Sequence, residues 1–518
     1  MNSTKKLLLT VYHQQSVVFR NLHIAKLNKE FKILHMSEIP TKYLLRGNLK
    51  KCSSTPKAFY STFEKLLKSK NSSKRDSKKN KMEPILELCL SKNDSSRQNN
   101  YVSNNNIPSN HYVMSKKKYN EIRQWKTIEK GTSFNADTDF ALRLLSYNIL
   151  AQNLLETHSY LYKNHNYRAL DWKHRKFLIQ QEILNANANV ICIQEMQVEH
   201  CQEFLVPLRK QGFDYLYKKR TNDTKDGLLM LYRPSQLKLE DYSLAEFHQT
   251  NSDILNRDNV GIVAKFSLRE SPDTHIVIST THLLYNPKRN DVRLAQTQLL
   301  FAEIERVAFI ENTVNGPKYH PILLCGDFNL VPQSGVYKFI TDGSFKYAGK
   351  GRSLDDISHH KLTNQLIPSH LRVTDNCEHF DLLKKRISHD NNDRYSRPVN
   401  DIDRNTSSYQ NIELTKGKFA KFSSGTLSHP HKLTSVYKHK NDNGEFEATT
   451  HQDEWITVDY IFYSQVEVLD RYTLPTVSEC EKLSFIPNFI VGSDHVCLGA
   501  TFKLKKKNFD KKIQYLTS

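Results

Sequence analysis

Eight short apolar runs of strand length recur between Leu142 and Leu504: "LRLLSYNIL", "NVICIQE", "GLLMLYR", "GIVAKFSL", "HIVISTTHLLYN", "HPILLCGDFN", "ITVDYIFYS" and "VCLGATFKL". Helical patterns at Trp172–Asn185 and Val292–Phe309, or polar loops, lie between them. Several runs are continuously apolar instead of alternating, which is how a strand covered on both faces reads. Many strands, some doubly covered, with helices interspersed, predict a large α/β domain built on mixed sheets. The 518 residues leave room for one such domain and for tails.

Charge separates the tails from the domain. Up to Asn120 the chain carries 24 Lys and Arg against 7 Asp and Glu; after it the numbers are 51 and 48. The formal surplus of +20 is therefore concentrated in an N-terminal arm, with a smaller cluster in "KLKKKNFDKK" near the C-terminus. A basic arm suits an anionic partner such as RNA. The stretch 71–110, rich in Ser, Asn and Lys and poor in aromatics, reads as disordered. Residues 1–30 hold no acid before Glu30 and fit either a mitochondrial presequence or an ordinary basic tail.

The expected organisation is a basic arm over 1–118, a catalytic domain over 119–505 and a basic tail over 506–518. "YNEIRQWKTIEK", Tyr119–Lys130, opens the ordered part as a short helix, and the polar, weakly periodic stretch 346–432 reads as a surface insertion. The eight cysteines show no CxxC spacing, and Cys192 and Cys325 lie inside apolar runs. That is cysteine usage of a reducing compartment, and no apolar run is long enough to span a membrane. A cytoplasmic location is expected, with a mitochondrial or nuclear one left open by the arm.

Five apolar runs end on, or are interrupted by, polar residues with catalytic chemistry: Asn148, Glu195, His282, the pair Asp327 and Asn329, and Asp459. "GSDH" places Asp494 and His495 just before the last run. Each alone fits a cap, a turn or a solvated strand end, but strand ends of an α/β sheet open on a common crevice where such groups can converge. Glu195 is a hard oxygen ligand suited to Mg²⁺, and no His/Cys ligand set suggests zinc. Asp327 can orient a water and take its proton, while Asn329 and Asn148 can hold a metal shell or a phosphate oxygen without added charge. Asp459 can fix His495 as an imidazolium, and His282 can donate to a non-bridging phosphate oxygen. Together these describe metal-assisted phosphoester hydrolysis.

In their order, "SYNIL", "CIQE", "THLLYNP", "CGDFN", "VDYIF" and "SDH" resemble the endonuclease/exonuclease/phosphatase superfamily over Arg123–Lys505. "LSYNILAQNLLE" and "THLLYNPKRNDVRLAQ" place the chain beside the carbon-catabolite-repressor deadenylases and nocturnin, nearest the Angel group. The resemblance implies a four-layered α/β sandwich, two mixed β-sheets packed face to face and flanked by helices. It implies Glu195, Asn148 and Asp494 at a metal, Mg²⁺ with Mn²⁺ able to substitute. It implies Asp327, Asn329, His282, Asp459 and His495 as catalytic residues.

For that group the implied substrate is RNA, through its 2′,3′-cyclic phosphate ends. The same motifs serve a 3′ exoribonuclease acting on poly(A), although Asn286 stands where many deadenylases have Asp. A third expectation, of another class, is an RNA-binding regulator acting through its basic arm. Lys288, Arg289 and Arg293 are candidate contacts to the RNA backbone and Phe328 a candidate stacking partner for a base, each with a bland alternative in a solvated charge or a core aromatic.

Overall fold

Alternation along the strands sorts the apolar side chains into layers. The computed structural model describes residues 114–128, 133–357, 360–390, 412–415 and 418–507. Most of the predicted arm, the presequence reading and the end of the predicted tail lie outside the described residues.

Strands β1 (Trp125–Thr127), β2 (Asp139–Asn148), β3 (Val190–Gln197), β4 (Asp214–Lys219), β5 (Asp226–Tyr232), β6 (Leu237–Glu246), β7 (Val260–Leu268) and β8 (Ser271–His282) come first in the chain. They are followed by β9 (Ile322–Asp327), β10 (Thr434–Ser435), β11 (Asp459–Ser464), β12 (Glu467–Tyr472) and β13 (Leu498–Lys505). One sheet has the order β1-β12-β13-β2-β3-β5-β4 and the other β10-β11-β9-β8-β7-β6. Each is mixed, with a single parallel pair near its middle, β2 with β3 and β8 with β9, and antiparallel neighbours elsewhere.

Leu144, Cys192, Met230, Ile262, Ile278, Leu323, Cys325, Ile461 and Phe502 meet in one core between the sheets. Their chain neighbours point the other way. Leu145, Ile191, Ile193 and Leu229 pack against helices α3 (Trp172–Ala186) and α4 (Val198–Lys210). Val263, Val277, Ile322 and Leu324 pack with α5 (Asn290–Ala308) and α6 (Gly335–Asp342). Period-2 side-chain placement in continuously apolar strands thus produces the expected four-layered sandwich, because both faces of each central strand are covered.

Two local expectations differ from the structure. The first helix spans Lys116–Ile122, capped by the Ser115 side chain, and the predicted helical run past Arg123 is instead the edge strand β1. A helix this short gains little by propagation, whereas Trp125 gains Tyr472, 5.3 Å away, on β12. The stretch predicted as a surface insertion contributes Tyr347, Val373, Cys377 and Leu427 to the core beside α5. Its helix Phe380–Asp390 is held there by Arg386, which pairs with the fully buried Glu305, and the nearby His379 lies 2.7 Å from Glu303.

Candidate active site

Register delivers the predicted residues to one place. On β9, Asp327 is paired with His282 of the parallel strand β8 and with Asp459 of the antiparallel strand β11, so three functional side chains sit abreast. On the facing sheet, β2 and β3 pair Asn148 with Gln194, leaving Glu195 one residue beyond. There a bulge between Ile193 and Met196 breaks the β3–β5 register and Glu195 adopts a left-handed backbone, φ 63°. Bulges re-aim side chains beside active sites, and this one turns the carboxylate toward Asn148.

The Asn148 amide joins the two sheets: its Nδ2 donates to Glu195 Oε1 (2.9 Å) and to Asp327 Oδ2 (3.0 Å). Glu195 Oε2 accepts from the Ala151 backbone (2.9 Å). Asp327 Oδ1 accepts from the Asn329 N–H (2.9 Å), and the Asn329 amide donates to the Leu283 carbonyl. Asn329 has φ 53°, a left-handed exit that curls the chain back over the carboxylate. His495 Nδ1 lies 2.8 Å from Asp459 Oδ2, and its Nε2 lies 3.8 Å from Asp327 Oδ2. His282 Nε2 is 3.5 Å from the same Asp327 oxygen, while its buried Nδ1 has no hydrogen-bond partner and faces Glu195 at 3.9 Å.

Burial and charge set the protonation states. Burial opposes a charge on His495, yet Asp459 and Asp327 outweigh it and hold the imidazole protonated. Burial and then Asp459 raise the Asp327 carboxyl above its ordinary range, against the pull of His282 and His495. His282 is kept neutral by burial. Glu195 is pushed up to about 7 by burial and by the carboxylates of Asp226 and Asp494, in spite of the bonds from Asn148 and Ala151.

A cation held beside Glu195 would offset the negative charge gathered there. Asp226 and Asp494 bring negative charge to bear on Glu195; among the described residues Asp226 pairs with Arg220, and its buried second oxygen has no partner. Glu195 and Asp494 offer carboxylate oxygens suited to a hard divalent ion, while the Asn148 amide turns its Nδ2–H groups to Glu195 and Asp327 and its Oδ1 to the Leu150 N–H. The ligand atoms of Asp327, Asp459 and His495 also lie within 4.8 Å of one another, close enough for an ion to bridge. A protonated imidazole is a donor and not a ligand, so His495 would have to release its proton to an ion there, whereas Glu195 and Asp494 offer carboxylate oxygens.

The predicted substrate contacts divide. Lys288 is exposed. Arg289 is turned onto Asp291 (2.8 Å). Two expectations are corrected. Arg293 is 1% exposed and spends its guanidinium on the Leu284 and Tyr285 carbonyls and Asn290, so it shapes the loop after His282 instead of touching a phosphate. Phe328 is fully buried, edge-on to Tyr460 and Phe462, with no face open to a base.

Three groups escaped the sequence reading. The Tyr162 hydroxyl donates to Asp494 Oδ2 (2.8 Å). Arg220, through Asp226, adds charge beside Glu195 and His282. Arg175, fully buried, donates to the carbonyls of Ile149, Leu150 and Gly492 and to Gln152, tying the loop after Asn148 to the loop before Asp494. Its signal was available: Trp172, Arg175, Ile179 and Ile183 form the buried stripe of α3, and an arginine on an apolar stripe needs acceptors.

A family model described as "Endonuclease/Exonuclease/phosphatase family" matches residues 145–495. Protein angel homolog 2 of Bos taurus is 32% identical over 400 residues, 72% of this chain and 71% of that protein. Protein angel homolog 1 of Homo sapiens is 31% identical over 457 residues, 75% of this chain and 68% of that protein. Among solved structures, ANGEL2, described as a 2′,3′-cyclic phosphatase and crystallised with adenosine-2′,3′-vanadate, matches with a TM-score of 0.60. It is 32% identical, and the match covers 74% of this chain and 98% of that one.

Proposed function

Because the chain belongs to the endonuclease/exonuclease/phosphatase family, its chemistry is phosphoester hydrolysis, and we propose that the bond it cleaves is in a 2′,3′-cyclic phosphate at an RNA 3′ end. The observation that carries this reading is the convergence of Asn148, Glu195, His282, Asp327, Asp459 and His495 from both sheets, combined with the likeness to ANGEL2.

Asp327, with its raised basicity and rigid mount, takes the proton of the attacking water. The Asn329 N–H fixes one of its oxygens, so the other is presented toward His282 and Asn148. His495, kept as an imidazolium by Asp459, offers Nε2–H to the phosphate as negative charge builds, and His282 donates from the opposite side. Water adds to phosphorus, one of the two ribose–phosphate bonds breaks, and the released ribose oxygen takes up a proton, leaving a phosphomonoester. A divalent cation, Mg²⁺ with Mn²⁺ as a substitute, held by Glu195 and Asp494 beside the Asn148 amide, would supply Lewis-acid polarisation of the phosphoryl oxygens.

The test offers the purified protein and Mg²⁺ short RNAs ending in 2′,3′-cyclic phosphate, 3′-phosphate, 2′-phosphate or 3′-hydroxyl. Only the cyclic end is expected to change, by one ring opening, and excess chelator is expected to stop it. A ladder of shortened oligoadenylate would make the protein a 3′ exoribonuclease. Turnover that persists in chelator would remove the cation from the reaction.

A further inference from the structure

Beside Asp494 the surface is lined with aromatic rings that the chemistry above does not use. Tyr162, whose hydroxyl holds Asp494, has its ring centroid 5.2 Å from that of His165, and His165 lies 5.4 Å from Phe485. The contact is fixed by His165 Nε2, 3.0 Å from the Ile486 carbonyl, which binds the segment after α2 (Gln152–Thr157) to the loop before the Ser-Asp-His turn. Tyr160, in the same single-turn helix as Tyr162, is 60% exposed, and Phe485 is 45% exposed. Large apolar groups left open in a cluster mark a binding surface.

We propose that this row, Tyr162–His165–Phe485 with Tyr160, is a stacking platform for the bases of single-stranded RNA upstream of the reacting 3′ end. The inference rests on the reading of the site as an RNA-end phosphoesterase and extends it to the body of the substrate. Three observations select RNA over an apolar protein partner. The row begins at a carboxylate of the site, so a chain whose 3′ end reaches Asp327 and His495 leaves across it. Four of its exposed or half-exposed groups, Tyr160, Tyr162, His165 and Phe485, are rings, which stack on any base, beside the single aliphatic Leu161. Between Tyr160 and Arg175 the exposed cations are Lys163, Arg168 and Lys173, and the sole acid is Asp171, which caps α3. The hairpin tip beyond His451, whose ring lies 6.4 Å from that of Phe485, carries Asp453 and Glu454, so the favourable direction for a phosphate backbone is toward Lys163 and Arg168.

The experiment compares full-length protein with Phe485→Ala, Tyr160→Ala and Phe485→Trp, and with Phe177→Ala as an exposed ring on the outer face of α3. Substrates are adenosine 2′,3′-cyclic phosphate and single-stranded RNAs of increasing length ending in the same group. The wild type is expected to gain in kcat/KM with length. In Phe485→Ala and Tyr160→Ala the ratio of octamer to mononucleotide kcat/KM is expected to fall roughly tenfold, in the range of one lost base stack. Phe485→Trp retains the ratio, and Phe177→Ala does not move it. A ratio within twofold of wild type in both alanine variants overturns the platform while leaving the phosphoesterase standing. If no cyclic phosphate is opened at all, the phosphoesterase reading fails instead. The platform is then judged by anisotropy of a labelled 3′-hydroxyl octamer at raised salt, where an unchanged Kd in Phe485→Ala overturns it and a roughly tenfold weaker Kd supports it.

Discussion

Replacing Gly326 by Ala tests whether the strand that delivers Asp327 has any slack. Gly326 sits on β9 between Thr281 of β8 and Tyr460 of β11, with φ 141°. A Cβ there would stand 2.0 Å from the Thr281 carbonyl oxygen and 3.0 Å from its C and N. An ordinary carbon–oxygen contact needs a little over 3 Å, so β8 and β9 must separate by about 1 Å, against a normal inter-strand spacing of about 4.8 Å. The clash is with backbone, which no rotamer change relieves. Left-handed strain of about 1–3 kcal/mol adds to overpacking of about 1–3 kcal/mol, giving a destabilisation of roughly 2–6 kcal/mol. The same movement pulls Asp327 from the Asn148 amide and from His282, and a misplacement near 1 Å costs on the order of a hundredfold in rate. Guanidinium denaturation and steady-state turnover are the assays. Gly212→Ala is the control: φ is 84° there and nothing lies within 4 Å, so only backbone strain of roughly 1 kcal/mol is expected, with no effect on kcat. A Gly326→Ala protein with wild-type midpoint and turnover would refute the account of how Asp327 is mounted.

Asp459→Asn is expected to fold normally and lose roughly 100- to 10,000-fold in kcat, since it removes the carboxylate that holds His495 as a donor; a loss under fivefold would remove the pair from the chemistry. Arg175→Lys keeps the charge but cannot span four acceptors on two loops, so kcat should fall more than tenfold with KM nearly unchanged, and an unchanged kcat would reduce Arg175 to packing. Burial lowers His429 to about 4, His431 to about 3 and His439 to about 4, below the ordinary value near 6.5 of the unfolded chain. As pH falls below that value the unfolded chain takes up protons first, so stability drops by up to about 2 kcal/mol per imidazole by pH 5. The pH 7 to pH 5 fall in unfolding free energy should therefore be shallower in His431→Phe by that amount, and an identical slope would place His431 in contact with water.

Much of this site was legible because its chemistry sits in short local signals. "CGDFN" names a buried strand, a glycine exit, a carboxylate and an amide in one line, and "SDH" before the last strand names the imidazole. For Phe328 the core-aromatic alternative is the one the fold bears out. A ring next to Asp327 in sequence points to the opposite face of the extended chain, into the layer beneath α5. Arg293 likewise follows His282 closely but is drawn inward by carbonyls of its own loop.

What the sequence determined alone was the alphabet of the site and the class of fold, because strand periodicity and the ordered polar strand ends are properties of consecutive residues. What tertiary structure decided was which of these groups act on one another. The pairing of Asp327 with His282 and Asp459 is fixed by strand register, and the Asn148 bridge depends on two sheets packed face to face. Asp459 and His495, 36 residues apart, become one unit only when β11 and the turn before β13 meet. The aromatic row from Tyr162 to Phe485 joins segments more than 300 residues apart, and no local pattern encodes a contact made across the mouth of a folded site.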